Sequence, residues 1–169
     1  MKFQRGMTMI ELAIVVAIVA LVMAMAAPLY TKMFTSSSGS QLVNQFAQDM
    51  AWARNTAATS DQTVTMTLST STCTWTAAAS GTAANSVSAH SMTTAQLANF
   101  PTLTCSLAWS GAALAGNVLN FNGQGQVTDS TGAVAASLPT MTVSTAQGQT
   151  WTVTVLGSGS ALVNAGNAQ

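Results

Sequence analysis

The chain has 169 residues, of which 49% are apolar and only 5% charged, with four basic residues balancing four acidic ones. That length and apolar content suit one packed domain with an appendage and exclude a disordered chain. Arg54 is the only basic residue after Lys32, so no cationic patch exists to neutralise a run of phosphates, and no strong nucleic-acid binding is expected.

Lys2 and Arg5 precede an uncharged run, LAIVVAIVALVMAMAAPL, from Leu12 to Leu29, and the neutral stretch extends to Lys32. Some twenty helical residues span about 30 Å, the thickness of a hydrocarbon core. The spacing therefore predicts a transmembrane helix over 7–31. The leading bases keep its N-terminus cytoplasmic and send the remainder outward, while Lys32 snorkels at the far interface. A basic start, an apolar run and Ala24-Met25-Ala26 also describe an ordinary secretory signal cut before Ala27. The chain would then be a secreted or membrane-anchored β-rich binding module. Against that alternative stands Glu11, near the cytoplasmic end of the run, where a charge costs roughly 2.5–3.5 kcal/mol at mid-membrane and less near the interface. A disposable signal has no use for it. Pro28 lacks the N–H that would bond the carbonyl of Ala24, which predicts a kink or local opening of the helix.

Beyond Lys32, Ser36-Ser37-Ser38-Gly39-Ser40 are weak helix formers and read as a flexible joint or a soft helix. Val43, Phe46, Met50, Ala53 and Ala57 then recur at spacings of three and four. They form the apolar stripe of an amphipathic helix over 32–60 that packs one face on the head. Residues 61–169 read as β. Val64, Met66 and Leu68 alternate with threonines, as do Trp151, Val153 and Val155, giving two half-buried strands. Shorter candidates are Cys73 to Ala77, Thr104 to Trp109, Val118 to Phe121 and Thr140 to Ser144, separated by turns such as Gly123-Gln124-Gly125 and Gly157-Ser158-Gly159. The fold class expected is α+β: a long N-terminal helix packed on a mostly antiparallel sheet. Thr76 to Thr94 is a low-complexity stretch expected to be an exposed loop, with His90 a lone solvated histidine and no partner for a metal site.

Cys73 and Cys105 make an even count in an exported chain, so one disulfide is the natural reading, with two reduced core cysteines the other. Cys73, Trp75 and Ala77 share one strand face, and Cys105, Leu107 and Trp109 share another. Both cysteines are thus expected to point inward and to tie two strands across the core. Catalysis finds little support. His90 with Asp49, Asp61 or Asp129 and one of many serines nominally composes a triad, yet there is no Gly-x-Ser-x-Gly elbow. Beyond the helix only Asp61 and Asp129 could serve a calcium ion, too few for a dedicated site. No catalytic residue, metal or cofactor is expected.

Gly6-Met7-Thr8-Met9-Ile10-Glu11-Leu12, after the short basic leader Met1 to Arg5, resembles the processing motif of type IV pilins and type II secretion pseudopilins. The resemblance implies a leader over 1–6, cut between Gly6 and Met7 by a membrane-embedded prepilin peptidase that also methylates the Met7 amine. Gly6 suits such a cleft because it has no Cβ to clash. Glu11 falls at the fifth mature position, where the family implies pairing with the N-terminal amine of a neighbouring subunit and so a role in axial register. Implied partners are other pilin or pseudopilin subunits, the peptidase, an inner-membrane assembly platform and lipid. The implied location is the inner membrane, with a periplasmic head, and then a filament. Gln48 to Ala57 followed by Val64 to Leu68 looks like the helix-to-strand passage of the H-type minor pseudopilins and related minor pilins, and Leu119 to Gly125 is similar to a later strand-turn of that subfamily. The C-terminal cysteine pair usual in major pilins is absent.

Overall fold

The computed structural model describes residues 7–80, 89–98, 100, 103–109, 112–113, 115–129 and 131–166. The leader with Gly6, residues 81–88 of the low-complexity stretch, and the side chain of Trp109 lie outside the described residues. The chain divides into two compact units, Met1–Phe34 and Thr35–Gln169.

Helix α1 runs over Met9–Ser60 and contains Pro28. Within the first unit every described residue is exposed, Ile14, Val15, Ile18, Leu21, Val22 and Met25 included. A helix apolar on all sides has no core-facing stripe and must be covered by lipid or by other helices. Beside Pro28 the Thr31 hydroxyl donates to the proline carbonyl at 3.0 Å.

In the second unit, Ser36 to Ser40 are helical, which removes the joint and leaves the soft helix of the two expected readings. The reason is packing. Thr35, Ser38 and Gly39 are buried, and a Cβ built on Gly39 would fall inside contact distance of the Trp151 ring. Small residues are needed here for close approach and do not serve flexibility. The predicted stripe of Val43, Phe46, Met50, Ala53 and Ala57 is fully buried.

The strands are β1 (Val64–Ser69), β2 (Thr74–Ala79), β3 (His90–Met92), β4 (Leu103–Trp109), β5 (Ala112–Ala113), β6 (Val118–Phe121), β7 (Val127–Thr128), β8 (Pro139–Thr145), β9 (Thr150–Val155) and β10 (Ala161–Gly166), with a short helix α2 (Thr94–Leu97) between β3 and β4. They build two antiparallel five-stranded sheets where one was expected, in the orders β3-β2-β1-β6-β7 and β10-β9-β8-β4-β5. The six strands legible in the sequence divide evenly between them. Each carries apolar residues on one face, and two sheets let both sets of apolar faces meet helix α1 and each other in one core.

That core joins Val64, Met66, Trp75 and Phe121 of the first sheet to Met141, Val143, Trp151 and Val153 of the second, with the helix stripe between. Phe46 meets Trp75 edge to face, centroids 5.2 Å apart. By the same alternation the outer faces carry hydroxyls: Thr65, Thr67, Thr74 and Thr76 on one sheet, and Thr140, Thr142, Ser144, Thr150, Thr152 and Thr154 on the other. Cys73 and Cys105 form a disulfide with Cα atoms 5.3 Å apart. Cys73 was expected to share a strand with Trp75 and Ala77; instead it ends the turn before β2 with φ at 53°, its side chain buried as expected. Cys105 lies in β4, so the bond joins one sheet to the other.

Candidate assembly and anchoring site

The N-terminal end of α1 is closed by its own side chains. Thr8 is the residue before the first helical position and Glu11 stands three residues further on. The Glu11 amide donates to the Thr8 hydroxyl at 3.3 Å, and Glu11 Oε2 accepts from the Thr8 amide at 2.8 Å and the Thr8 hydroxyl at 2.9 Å. This is a capping box, in which two orphan amides of the first turn are satisfied reciprocally and the carboxylate lies at the positive end of the helix. The Thr8-x-x-Glu11 spacing is the sequence signature of that box, here set at the start of the apolar run. Both bonds to the carboxylate use Oε2. Oε1 accepts no hydrogen bond among the described residues, so one oxygen caps the helix and the other is left for a further donor. Met7 is exposed beside it.

The head holds a second polar constellation, which sequence reasoning missed. Asp49, on the buried face of α1, is only 2% exposed. Its Oδ2 accepts from the Trp75 indole N–H at 2.7 Å, and its Oδ1 lies 3.2 Å from Gln45 Nε2 and 3.0 Å from His90 Nδ1. The His90 ring stacks on Trp52 with centroids 4.3 Å apart and planes 14° from parallel. His90 is therefore not a solvated loop residue: it begins β3 and fastens that edge strand to the helix. Only the triad's His–Asp half is assembled, because among the described residues no hydroxyl is bonded to the imidazole. Burial of Asp49 follows from the indole beneath it, since a buried N–H requires an acceptor. Replacing Asp49 by Ala is expected to destabilise the full chain by about 1–3 kcal/mol, the cost of leaving the Trp75 donor unpaired, and Asn, which keeps an acceptor, by less. Urea unfolding followed by tryptophan fluorescence measures both variants.

The two other head carboxylates are occupied separately. The Asp61 side chain lies against Gly123, where a Cβ would collide with it. Asp129 closes its own turn, accepting from the Thr131 hydroxyl at 2.6 Å, the Thr131 amide at 2.8 Å and the Ala133 amide at 3.1 Å. The Thr131 hydroxyl, followed by the Thr131 amide, holds its carboxyl below the usual carboxylate range. Among the described residues no group of three or more His, Cys, Asp or Glu side chains could hold a metal ion.

An apolar, all-round exposed helix long enough to cross a membrane, with one acid in its first turn, and a head of one helix packed on two antiparallel sheets, make up a type IV pilin-like fold. The prokaryotic N-terminal methylation motif matches residues 1–27. Residues 42–159 match the type II transport protein GspH, and the chain belongs to that family. Among solved structures it is similar to the minor pseudopilin EpsH from the type 2 secretion system of Vibrio cholerae, at 16% identity and a TM-score of 0.51 over 78% of this chain and 97% of that one. The type IV minor pilin FimU of Pseudomonas aeruginosa also matches, at 15% identity and a TM-score of 0.48 over 81% of this chain and 92% of that one. No curated protein matches the sequence. The expected family and fold class hold, and the reading as a module exported by an ordinary signal is not favoured.

Proposed function

We propose that this chain is a non-catalytic minor subunit of a type IV pilus or type II secretion pseudopilus, cut between Gly6 and Met7, methylated at Met7 and drawn from the inner membrane into a filament. In this reading 1–6 is the leader, 7–31 the membrane and assembly helix, 32–60 its continuation and 61–169 the periplasmic head. Glu11, in the first turn of α1 and the one charged residue from 7 to 31, carries the proposal. Its Oε2 caps its own helix, leaving Oε1 for the Met7 amine of a neighbouring subunit. Such a pair, formed away from water, fixes register more surely than it adds stability. The apolar surface around it is covered by lipid before assembly and by other subunits' helices afterwards. Prepilin peptidase and an assembly platform act on the segment in turn. At Pro28 the carbonyl of Ala24 already lacks its donor, so local extension of the helix there breaks one hydrogen bond fewer than elsewhere.

Mass spectrometry of the mature N-terminus tests the proposal. The wild type is expected to begin at methylated Met7, and Gly6→Leu to remain a full-length precursor. Glu11→Ala is expected to be inserted and cut, since losing a charge eases insertion, yet to fall at least tenfold in sheared filaments. Normal maturation of the Gly6 variant would overturn the processing step; wild-type incorporation of the Glu11 variant would overturn the register role.

A further inference from the structure

Among the described residues the two sheets end in four outermost strands, three of them short, and β5 covers only Ala108 and Trp109 of β4. β3 has three residues, β5 and β7 two each. Brevity is a common protection of a sheet edge against pairing with another chain. β10, with six residues of sequence ALVNAG, is the exception: it has no charge, no proline, and Leu162 and Val163 exposed at 52% and 37%.

Its outward groups follow from the ladder with β9, where Ala161 stands opposite Val155 and Val163 opposite Val153. The Leu156 amide donates to the Ser160 carbonyl at 2.8 Å, which makes 156 and 160 a hydrogen-bonded pair. Bonding alternates along an antiparallel ladder. Leu162, Asn164 and Gly166 therefore bond to β9, while Ala161, Val163 and Ala165 turn their N–H and C=O groups to the open edge. The same three residues stand on the inner face of the sheet, in line with Trp151, Val153 and Val155.

We propose that this open edge pairs with the same edge of a second copy of the chain, antiparallel and centred on Val163. The register is self-complementary. Hydrogen-bonded pairs fall at 163 with 163 and 161 with 165, so the inner side presents valine to valine flanked by alanines, and Leu162 faces Asn164 on the outer side. Formal net charge is zero and no charged residue occurs from 130 to 169, so two copies meet without repulsion and bury no charge. The pairing has a two-fold axis normal to the sheet, which reverses every direction lying in the sheet plane. The pairing itself does not depend on the chain being a filament subunit.

The test uses the full chain in detergent micelles. Cys73 and Cys105 are bonded to each other, so a cysteine introduced in β10 is the one free thiol among the described residues. Residues facing one another in a hydrogen-bonded pair have Cα atoms about 5.5 Å apart, within disulfide range. In this register two copies of residue 162 stand about 8 Å apart, beyond it. Under mild oxidation Val163→Cys is expected to give covalent dimer at least tenfold faster than Leu162→Cys. Val163→Pro removes an outward N–H and no bond to β9, and is expected to sediment as monomer where the wild type is dimeric. Equal cross-linking of the two cysteine variants, a monomeric wild type, or a Val163→Pro chain that dimerises like the wild type would each overturn the proposal.

Discussion

Replacing Cys73 and Cys105 together by alanine is expected to lower the stability of the head by about 3–4 kcal/mol. The two residues are 32 apart in sequence. Tying a loop of that length removes close to that free energy of conformational freedom from the unfolded chain on the entropic account. The loss is a large share of the 5–15 kcal/mol typical of a domain. The position of the bond adds to its importance: it links the turn before β2 in one sheet to β4 in the other, while the segment it encloses includes the edge strand β3 and helix α2. In its absence the sheets are held together by side-chain packing on α1 and by chain connections. Urea unfolding with and without reductant measures the effect, since the wild type should fall to the level of the double alanine variant when reduced, and that variant should not respond.

Gly39→Ala should also destabilise the chain, against the ordinary expectation for a glycine inside a helix. At an exposed helical site that change stabilises by roughly 0.5–1 kcal/mol, because glycine loses the most backbone freedom on folding. Here the added methyl meets the Cζ3, Cη2 and Cε3 atoms of Trp151, whose ring is buried and flat. Overpacking of this kind costs about 1–3 kcal/mol, so the net effect is a loss, and it should grow with Gly39→Leu. Trp151→Leu in combination with Gly39→Ala should recover part of the difference, as residues in contact do and independent sites do not. Thermal unfolding of the two single variants and the double variant separates the terms.

The parts of the fold that the sequence made legible are those with a strong period. The helix stripe from Val43 to Ala57 and the alternations at Val64 to Leu68 and Trp151 to Val155 are direct consequences of burying one face, and each was readable residue by residue. Three features were not. Gly39 signals flexibility by composition, and only the indole opposite it, 112 residues away in the chain, turns it into a packing requirement. His90 stands in a run of small residues with no period; it is drawn into β3 by pairing with Ala77 and by the carboxylate of Asp49 on another element. β10 was equally silent, because all its residues after the half-buried Ala161 are exposed, on both faces, and alternation records burial. At the N-terminus the motif residues were legible, while the hydrogen bonds that commit one Glu11 oxygen to capping and leave the other unbonded among the described residues required coordinates.

The hydroxyl-covered outer faces of the two sheets have a colloidal consequence. Surfaces that resist sticking through like charges lose that force as salt shortens the Debye length from about 10 Å at 0.1 M to about 3 Å at 1 M. A surface of threonine and serine binds water through neutral donors and acceptors, which dissolved ions do not screen. Its hydration, and the adhesion of one such face to another, should therefore be indifferent to salinity, so that the head behaves alike in dilute water and in brine.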